Sequence, residues 1–379
     1  MTRFNRRPVT IAVSAALAWA LVAPVAAQDP SKETTGSTSM REQRAKRMAE
    51  LGKGKEDAKQ AEQKPAQYPN ATRVAPEAKA SGKMIKILQA LQELYEKQDM
   101  AGVIAKAEAI VAMPAAGAYE KSFAYSLAGN AAADMDDQMK AAEYFGKVVE
   151  ANGLDNDSHF NNMYNLAIIQ FGNEKYADSL ATMDRFLAET KSTDPKHVGF
   201  RAGILANLGR NDEAAAIYKD LVAKNPTDKR ILMNAVAALQ GADKFDEANV
   251  LLEDAYKRGM LSESRELRAL YVGYMNAQRW VDTQKVIEEG LAKGILQPGP
   301  ELARDYQVLA QNAYVDDKID LAIALYGKAA PMAADGEAYL NLAKVLEYSG
   351  KKADAKAAAQ KALDKGVKKP DEAKSILSR

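Results

Sequence analysis

Beyond about residue 80, apolar residues recur with the spacing of α-helices, and short polar turns interrupt them. Examples of these turns are NLGRND, ADKF and YSGKK. Helix-forming residues dominate and runs of β-branched residues are scarce, which favours helices over strands. The pattern therefore predicts an all-α fold over residues 81–379.

The helices are predicted to come in similar pairs. Leu208–Pro226 and Gly241–Gly259 each read as a turn, then Asp-Glu-Ala, then a large residue four positions after the alanine. In the second helix of each pair, a mostly small residue recurs at intervals of about 33 to 39 residues. We call these the marker positions: Val103, Ala141, Ser179, Ala214, Ala248, Thr283, Ala322 and Ala355.

A counterpart on the first helix lies twelve residues before each marker. The counterparts are Leu91, Gly129, Ala167, Ala202, Val236, Tyr271, Ala310 and Ala343. Two antiparallel helices approach closely only where their facing residues are small, and a larger residue one turn later fills the neighbouring groove. Each pair has an apolar face that it cannot bury alone, so about eight pairs are expected to stack.

These positions resemble the tetratricopeptide repeat family. Tyr306, Leu309 and Ala310 on one helix, with Ala322 and Tyr326 on the next, follow the family pattern. The resemblance implies a right-handed superhelical solenoid of about eight helix-turn-helix repeats. Departures from the pattern are Val103, Ser179 and Thr283 at marker positions, and the large Tyr271 at a counterpart position.

In such a solenoid the first helices line a concave groove that binds protein segments. Counting from the small positions, we expect several polar and aromatic side chains to face inward. Asparagine can bond both the donor and the acceptor of a peptide, and aromatic rings offer contact area. Three of the arginines are predicted to converge into a basic patch for a carboxylate. The candidate groove residues are Asn130, Asn161, Tyr164, Asn165, Phe171, Asn234, Arg265, Arg268, Asn276, Arg304, Gln307, Gln311 and Tyr314.

Residues 1–27 read as a signal peptide that is cleaved after Ala27. Three arginines precede the apolar run Val9–Val22, which is too short to span a bilayer comfortably, and small residues follow at 25–27. An uncleaved anchor and a twin-arginine signal are the alternatives. Cleavage would place a mature chain without a transmembrane span in the periplasm. Residues 28–80 are polar, rich in proline and mildly basic, which predicts a disordered linker.

The stretch YPNATRVAP within this linker is unusual for a polar tail. It contains the candidate linker motif Tyr68, Pro69, Thr72, Arg73 and Val74. One interpretation is that Tyr68 and Val74 fold onto the exposed face of the first hairpin and cap the stack. The other is that the stretch is a short ligand on a tether. Because a solenoid needs its ends covered, the sequence favours capping.

A second resemblance combines this stretch with Leu251–Met275 and Asp335–Ala373. Together they are similar to the periplasmic repeat proteins that accompany TonB–ExbB–ExbD systems in Gram-negative bacteria. The resemblance implies an accessory role in TonB-dependent transport across the outer membrane, through the periplasmic parts of TonB, ExbB or ExbD. A scaffold for another envelope machine, in peptidoglycan synthesis, outer-membrane assembly or polysaccharide export, is the alternative.

Composition argues against other functions. The net charge is +1, so no excess of positive charge indicates nucleic-acid binding, and the absence of cysteine excludes disulfides and thiolate chemistry. The two histidines, His159 and His197, have no serine or carboxylate at a spacing that suggests a triad, and we expect surface or capping roles for them. Gly153–His159 lacks the glycine and final glutamate of a calcium loop and reads as a plain loop. We expect no enzyme activity, cofactor or metal.

Overall fold

The computed structural model describes residues 65–379. The predicted signal peptide and residues 28–64 of the predicted linker lie outside the described residues. Seventeen α-helices and no strands occur within this part of the chain. The helices are Ile85–Glu96 (α1), Met100–Val111 (α2), Ala118–Asp134 (α3), Gln138–Ala151 (α4), Asn156–Gly172 (α5), Tyr176–Thr190 (α6), Pro195–Asn207 (α7), Asn211–Lys224 (α8), Lys229–Gly241 (α9), Phe245–Lys257 (α10), Ser264–Asn276 (α11), Trp280–Ala292 (α12), Pro300–Val315 (α13), Ile319–Met332 (α14), Glu337–Tyr348 (α15), Lys352–Asp364 (α16) and Pro370–Ser378 (α17).

Helices α1 to α16 form the predicted hairpins, so the all-α repeat fold is confirmed. Each of the eight hairpin turns has one residue with positive φ, and that residue always lies five positions before the marker. Only two of the eight are glycines, Gly209 and Gly350. The others are Gln98, Asp136, Glu174, Asp243, Gln278 and Asp317. Because L-residues rarely adopt this conformation, its fixed register shows that all eight hairpins share one backbone design.

The marker positions lie in the buried contact between the two helices of each hairpin. All eight markers and their eight counterparts are buried. Where serine or threonine replaces alanine, its hydroxyl donates to the carbonyl oxygen of the counterpart: Ser179 Oγ lies 2.7 Å from Ala167 O. Thr283 Oγ1 lies 3.4 Å from Tyr271 O in the same arrangement. The polar replacements therefore satisfy their hydroxyls without separating the helices.

The described residues divide into two compact units, 65–248 and 249–379. In the first unit, one apolar cluster runs from Met84 through α1 to α4 and reaches Leu154. In the second unit, α17 packs on α15 and α16 and buries Ala373 and Ile376 against the last hairpin. The end of the repeat array is therefore covered by a helix of its own.

Within residues 65–379, none of the helices combines the length and the apolar character needed to cross a membrane.

We expect Gly129→Ala to destabilise the protein by about 1–3 kcal/mol, because overpacking a buried contact forces neighbouring side chains to move. A Cβ at this counterpart position would lie 2.8 Å from Cε1 of the buried Phe145. Urea unfolding followed by circular dichroism measures the effect.

The matched control is Gly146→Ala in the facing helix α4. A Cβ there has nothing within 4 Å, so alanine is expected to stabilise by about 0.5–1 kcal/mol through helix propensity. Equal effects of the two substitutions would contradict a close contact at the small positions.

Candidate functional site

A non-helical segment, Gln67–Arg73, lies against helices α5, α6 and α7 of the first unit. We call this segment the strap. Its Tyr68 side chain is only 5% exposed. The Tyr68 ring meets Phe160 and Phe186 edge-on, with centroid distances of 5.4 and 5.6 Å, and lies 6.2 Å from the ring of His197. Edge-to-face contacts of this kind are the favoured geometry for aromatic rings.

We call the surroundings of this ring the aromatic slot, formed by Phe160, Tyr164, Phe186 and His197. The ring of His197 lies 4.9 Å from the rings of both Tyr164 and Phe186. The ring of Phe186 lies 5.5 Å from that of Tyr164 and 6.2 Å from that of Phe160. The slot is built from three successive helices, α5, α6 and α7. The strap binds where the third hairpin, α5 and α6, packs on α7, which is the first helix of the fourth hairpin.

Polar contacts fix the orientation of Tyr68. Its hydroxyl donates to Asn161 Oδ1 at 3.1 Å, while Asn161 Nδ2 donates to Gln67 Oε1 at 3.1 Å. The backbone N–H of Gln67 donates to both carboxylate oxygens of Asp157, at 3.0 and 3.1 Å. Asn161 thus acts as donor and acceptor at once, as an asparagine can. Burial, reinforced by Asp157 and Asp194, raises the pKa of Tyr68 well above its usual range, so the hydroxyl remains a donor.

The other end of the strap is held by Arg73. Its guanidinium donates to Asn152 Oδ1 and Asn156 Oδ1, both at 2.7 Å, and to the carbonyl oxygens of Leu154 at 2.9 Å and Asn152 at 3.2 Å. Asn156 Nδ2 donates in return to Arg73 O at 3.1 Å. Directly before Arg73, Thr72 N–H donates to Glu189 O at 2.8 Å, at the end of α6. Arg73 therefore binds the turn between α4 and α5 through its fork of donors.

The prediction that Tyr68 and Val74 cap the first hairpin is wrong. Tyr68 lies on the third and fourth hairpins, and Val74 is 90% exposed. The slot offers Tyr68 both ring edges and a hydrogen-bond acceptor, which together satisfy its apolar body and its polar tip. The prediction of a disordered linker through residue 80 did not anticipate these contacts.

The expectation of surface or capping histidines is also wrong. His159 and His197 do lie near the starts of α5 and α7, but both are buried. His197 Nδ1 shares a hydrogen bond of 2.8 Å with Ser192 Oγ. Burial lowers the pKa of His197. Neither ring nitrogen of His159 has a hydrogen-bond partner among the described residues, and burial, then Arg73 and Arg185, lower its pKa to about 4.

Two of the predicted groove residues of the first unit, Asn161 and Tyr164, come together at the aromatic slot. Asn130 is buried in α3, and Asn165, Phe171 and Asn234 are half-buried. The ring of Phe171 packs against Tyr176 and Phe200 rather than standing free. The binding roles of these residues stay predictions.

Sequence reasoning missed three residues that bind the strap: Asn152, Asn156 and Asp157. Asn156 and Asp157 lie within the stretch Gly153–His159, which is predicted as a plain loop, and Asn152 directly precedes it. The structure begins α5 within it, with Asp155 accepting from Ser158 N–H as the N-cap. The density of asparagine and aspartate was the available signal, but it is equally typical of a helix start.

The predicted basic patch of the second unit is not a set of free cations. Arg268 Nε lies 3.2 Å from Glu301 and 3.3 Å from Asp305, and Arg265 pairs with Glu263 at 3.0 Å. Tyr271, the large residue at a counterpart position, donates to Asp305 at 2.8 Å. Burial raises the pKa of Asp305, and Arg268 opposes that rise. For Arg265 and Arg268, a carboxylate of the chain itself takes the place that was predicted for the carboxylate of a partner.

The remaining candidates of the second unit vary in exposure. Asn276 and Arg304 are exposed, and Gln307, Gln311 and Tyr314 are half-buried. Gln311 accepts a hydrogen bond from Tyr326 at 3.1 Å, and the ring of Tyr314 packs on Tyr348. Partner binding by these residues also stays a prediction. Within residues 65–379, no group of three or more potential ligand side chains is placed to hold a metal ion.

Comparison with known families finds one match. The family described as "Psidin, N-terminal TPR repeats region" matches residues 162–288, about a third of the chain. Residues 162–288 are similar to tetratricopeptide repeats. The matched range includes Tyr164, Phe186 and His197 of the aromatic slot and begins just after Phe160. A comparison with curated proteins found no match.

Solved structures with a similar fold include a tetratricopeptide repeat protein from Parabacteroides merdae, at 16% identity and a TM-score of 0.41, covering 68% of this chain and 97% of that one. A mutant of MamA matches at 18% identity and a TM-score of 0.38, covering 46% of this chain and 93% of its own. YrrB, a TPR protein with an unusual peptide-binding site, matches at 16% identity and a TM-score of 0.37, covering 53% of this chain and 99% of its own.

The pKa of His159 predicts acid sensitivity. Between pH 6.5 and about pH 4, His159 binds a proton in the unfolded chain but stays neutral in the folded protein. Stability is therefore fully present above pH 6.5 and falls as pH drops, by roughly 3 kcal/mol at pH 4 from this residue. Urea unfolding at pH 7 and pH 4 measures the loss.

His159→Leu is the matched variant, because it keeps an apolar side chain in place and removes the titrating ring. Its unfolding free energy should depend less on pH than that of the wild type, while His197 retains its own share. The same pH dependence in both proteins would contradict a buried neutral His159.

Proposed function

We propose that the protein is a non-enzymatic periplasmic scaffold that binds a non-helical segment of a protein partner along its first helices. The observation that supports the proposal is the binding of the strap. The strap is an irregular chain segment, and aromatic and polar side chains of stacked hairpins hold it. Asn161 belongs to the face that the repeat pattern assigns to partner binding.

Repeated hairpins suit this role for a physical reason. Within each unit, successive hairpins repeat one helix-turn-helix pattern, so a partner segment meets a series of similar surfaces. Asparagine and glutamine side chains on that face offer paired donors and acceptors to a peptide backbone, and tyrosine and phenylalanine add apolar contact area.

The periplasmic location is supported by the N-terminal pattern of arginines, a short apolar run and small residues. The resemblance to repeat proteins that accompany TonB–ExbB–ExbD systems supports an accessory role in TonB-dependent transport. The partners would then be the periplasmic regions of TonB, ExbB or ExbD. A scaffold for another envelope machine is the alternative.

Site-specific photo-cross-linking tests the proposal. A photoreactive residue at Asn165 on α5 or at Gln307 on α13 should cross-link to TonB, ExbB or ExbD in cells, because both positions lie on the predicted binding face. Immunoblotting for the three proteins reads the result.

Exposed positions on second helices, Asp220 on α8 and Lys285 on α12, are the matched controls. They should give only background cross-linking. Capture of components of another envelope machine from Asn165 and Gln307 would remove the TonB assignment and favour the alternative. Equal cross-linking from the control positions would contradict binding along the first helices.

A further inference from the structure

The strap differs from the rest of the core in where it comes from. Every other ring that touches Tyr68 belongs to a hairpin helix, whereas Tyr68 lies in an irregular segment more than 90 positions away from Asn161 in the sequence. Six consecutive exposed residues, 74–79, follow the strap before the chain is held again by the bond from Ser81 N–H to Glu120. The strap is thus joined to the helices on this side by a connection that does not pack.

The strap has the shape of a compact recognition motif. Ala71 N–H donates to Tyr68 O at 3.2 Å, which closes a four-residue turn, and Pro69 occupies its second position. Proline favours that position because its φ is fixed near the value that the turn requires. The turn is therefore organised before it binds, which lowers the entropic cost of binding.

A partner chain with the same motif would make the same contacts at both ends of the motif. The tyrosine fills the aromatic slot and its hydroxyl meets Asn161, while the arginine five positions later donates to Asn152, Leu154 and Asn156. Aromatic rings in well-packed pockets and arginine forks are the usual anchors of protein interfaces. Between them, the backbone N–H and the side-chain hydroxyl of Thr72 both donate to Glu189 O, at 2.8 and 3.2 Å.

We infer that the aromatic slot is a recognition site for a Tyr-Pro turn followed by an arginine, and that the strap occupies it as an intramolecular ligand. This inference rests on the proposed function, since it names the kind of segment that the scaffold binds. The occupant is the chain's own Gln67–Arg73. A partner segment of the same chemistry enters only when the strap leaves.

Binding of a synthetic peptide to full-length protein tests the inference. The probe is a fluorescent peptide of residues 65–76, PAQYPNATRVAP. The proteins are the wild type, Tyr68→Ala, Arg73→Ala and the double variant, each checked for helix content by circular dichroism. Fluorescence anisotropy measures the affinity.

The double variant should bind the peptide saturably, and the wild type should bind it far more weakly. If the strap leaves the slot about 1% of the time, the apparent affinity of the wild type is about 100-fold lower. Arg73→Ala should give an intermediate affinity, because Tyr68 still competes. A control peptide with Tyr68→Ala should not bind to any of the proteins.

Four results would overturn the inference. The folded double variant does not bind the peptide, or the wild type binds it as tightly as the double variant. Tyr68→Ala loses its cooperative unfolding, which would make Tyr68 part of the core. Finally, the wild type forms a concentration-dependent dimer that Tyr68→Ala abolishes, which would make the strap an exchanged element between two copies.

The peptide assay is independent of the cross-linking test, because it uses purified protein and no envelope partner. Failure of peptide binding with successful cross-linking to TonB, ExbB or ExbD would remove the intramolecular ligand and leave the scaffold. Peptide binding without any such cross-link would retain the site and remove the assigned partners.

Discussion

The close approach of the two helices in each hairpin is the contact on which the rest of the structure depends. At the marker positions the side chains are so small that a hydroxyl on one helix reaches the backbone carbonyl of the other, as Ser179 does with Ala167. The positive-φ residue five positions earlier reverses the chain at a fixed distance from that contact. With the turn and the contact both fixed, every hairpin presents the same faces, and stacking follows because each has an apolar face left to bury.

That contact also explains how much of the fold the sequence could predict. The turn residue lies between the counterpart and the marker, and all three fall within 13 residues, so they repeat as a local pattern that periodicity detects. Tyr271 shows the limit of such reasoning. A large side chain was unexpected at a counterpart position, but the contact at Thr283 persists and the tyrosine hydroxyl finds Asp305 on a later helix. A repeat pattern does not predict a hydrogen bond between side chains of two different hairpins.

The candidate site was less predictable because its contacts are long-range. The bonds of the strap to Asp157, Asn161 and Glu189 join residues that are about 90 to 117 positions apart, and no period relates them. Asn161 was selected because it shares the phase of the small positions. Asn152 and Asn156 were missed because their role depends on Arg73, which lies outside the repeats. Arg268 was predicted as a free cation for the same reason, since its partner Asp305 lies on a different hairpin.

The strap and the buried histidines belong to one arrangement. Tyr68 covers His197 from one side, and Arg73 lies close enough to His159 to disfavour its charged form. His197 belongs to the slot, and the ring of His159 lies 5.4 Å from that of the slot residue Phe160. Both imidazoles are neutral near neutral pH because burial lowers both pKa values. Protonation would place positive charge beside Arg73, Arg185 and Lys196, which already oppose it. Asp155 and Asp194 favour the charged forms, but burial outweighs them, so Tyr68 packs against neutral rings near neutral pH.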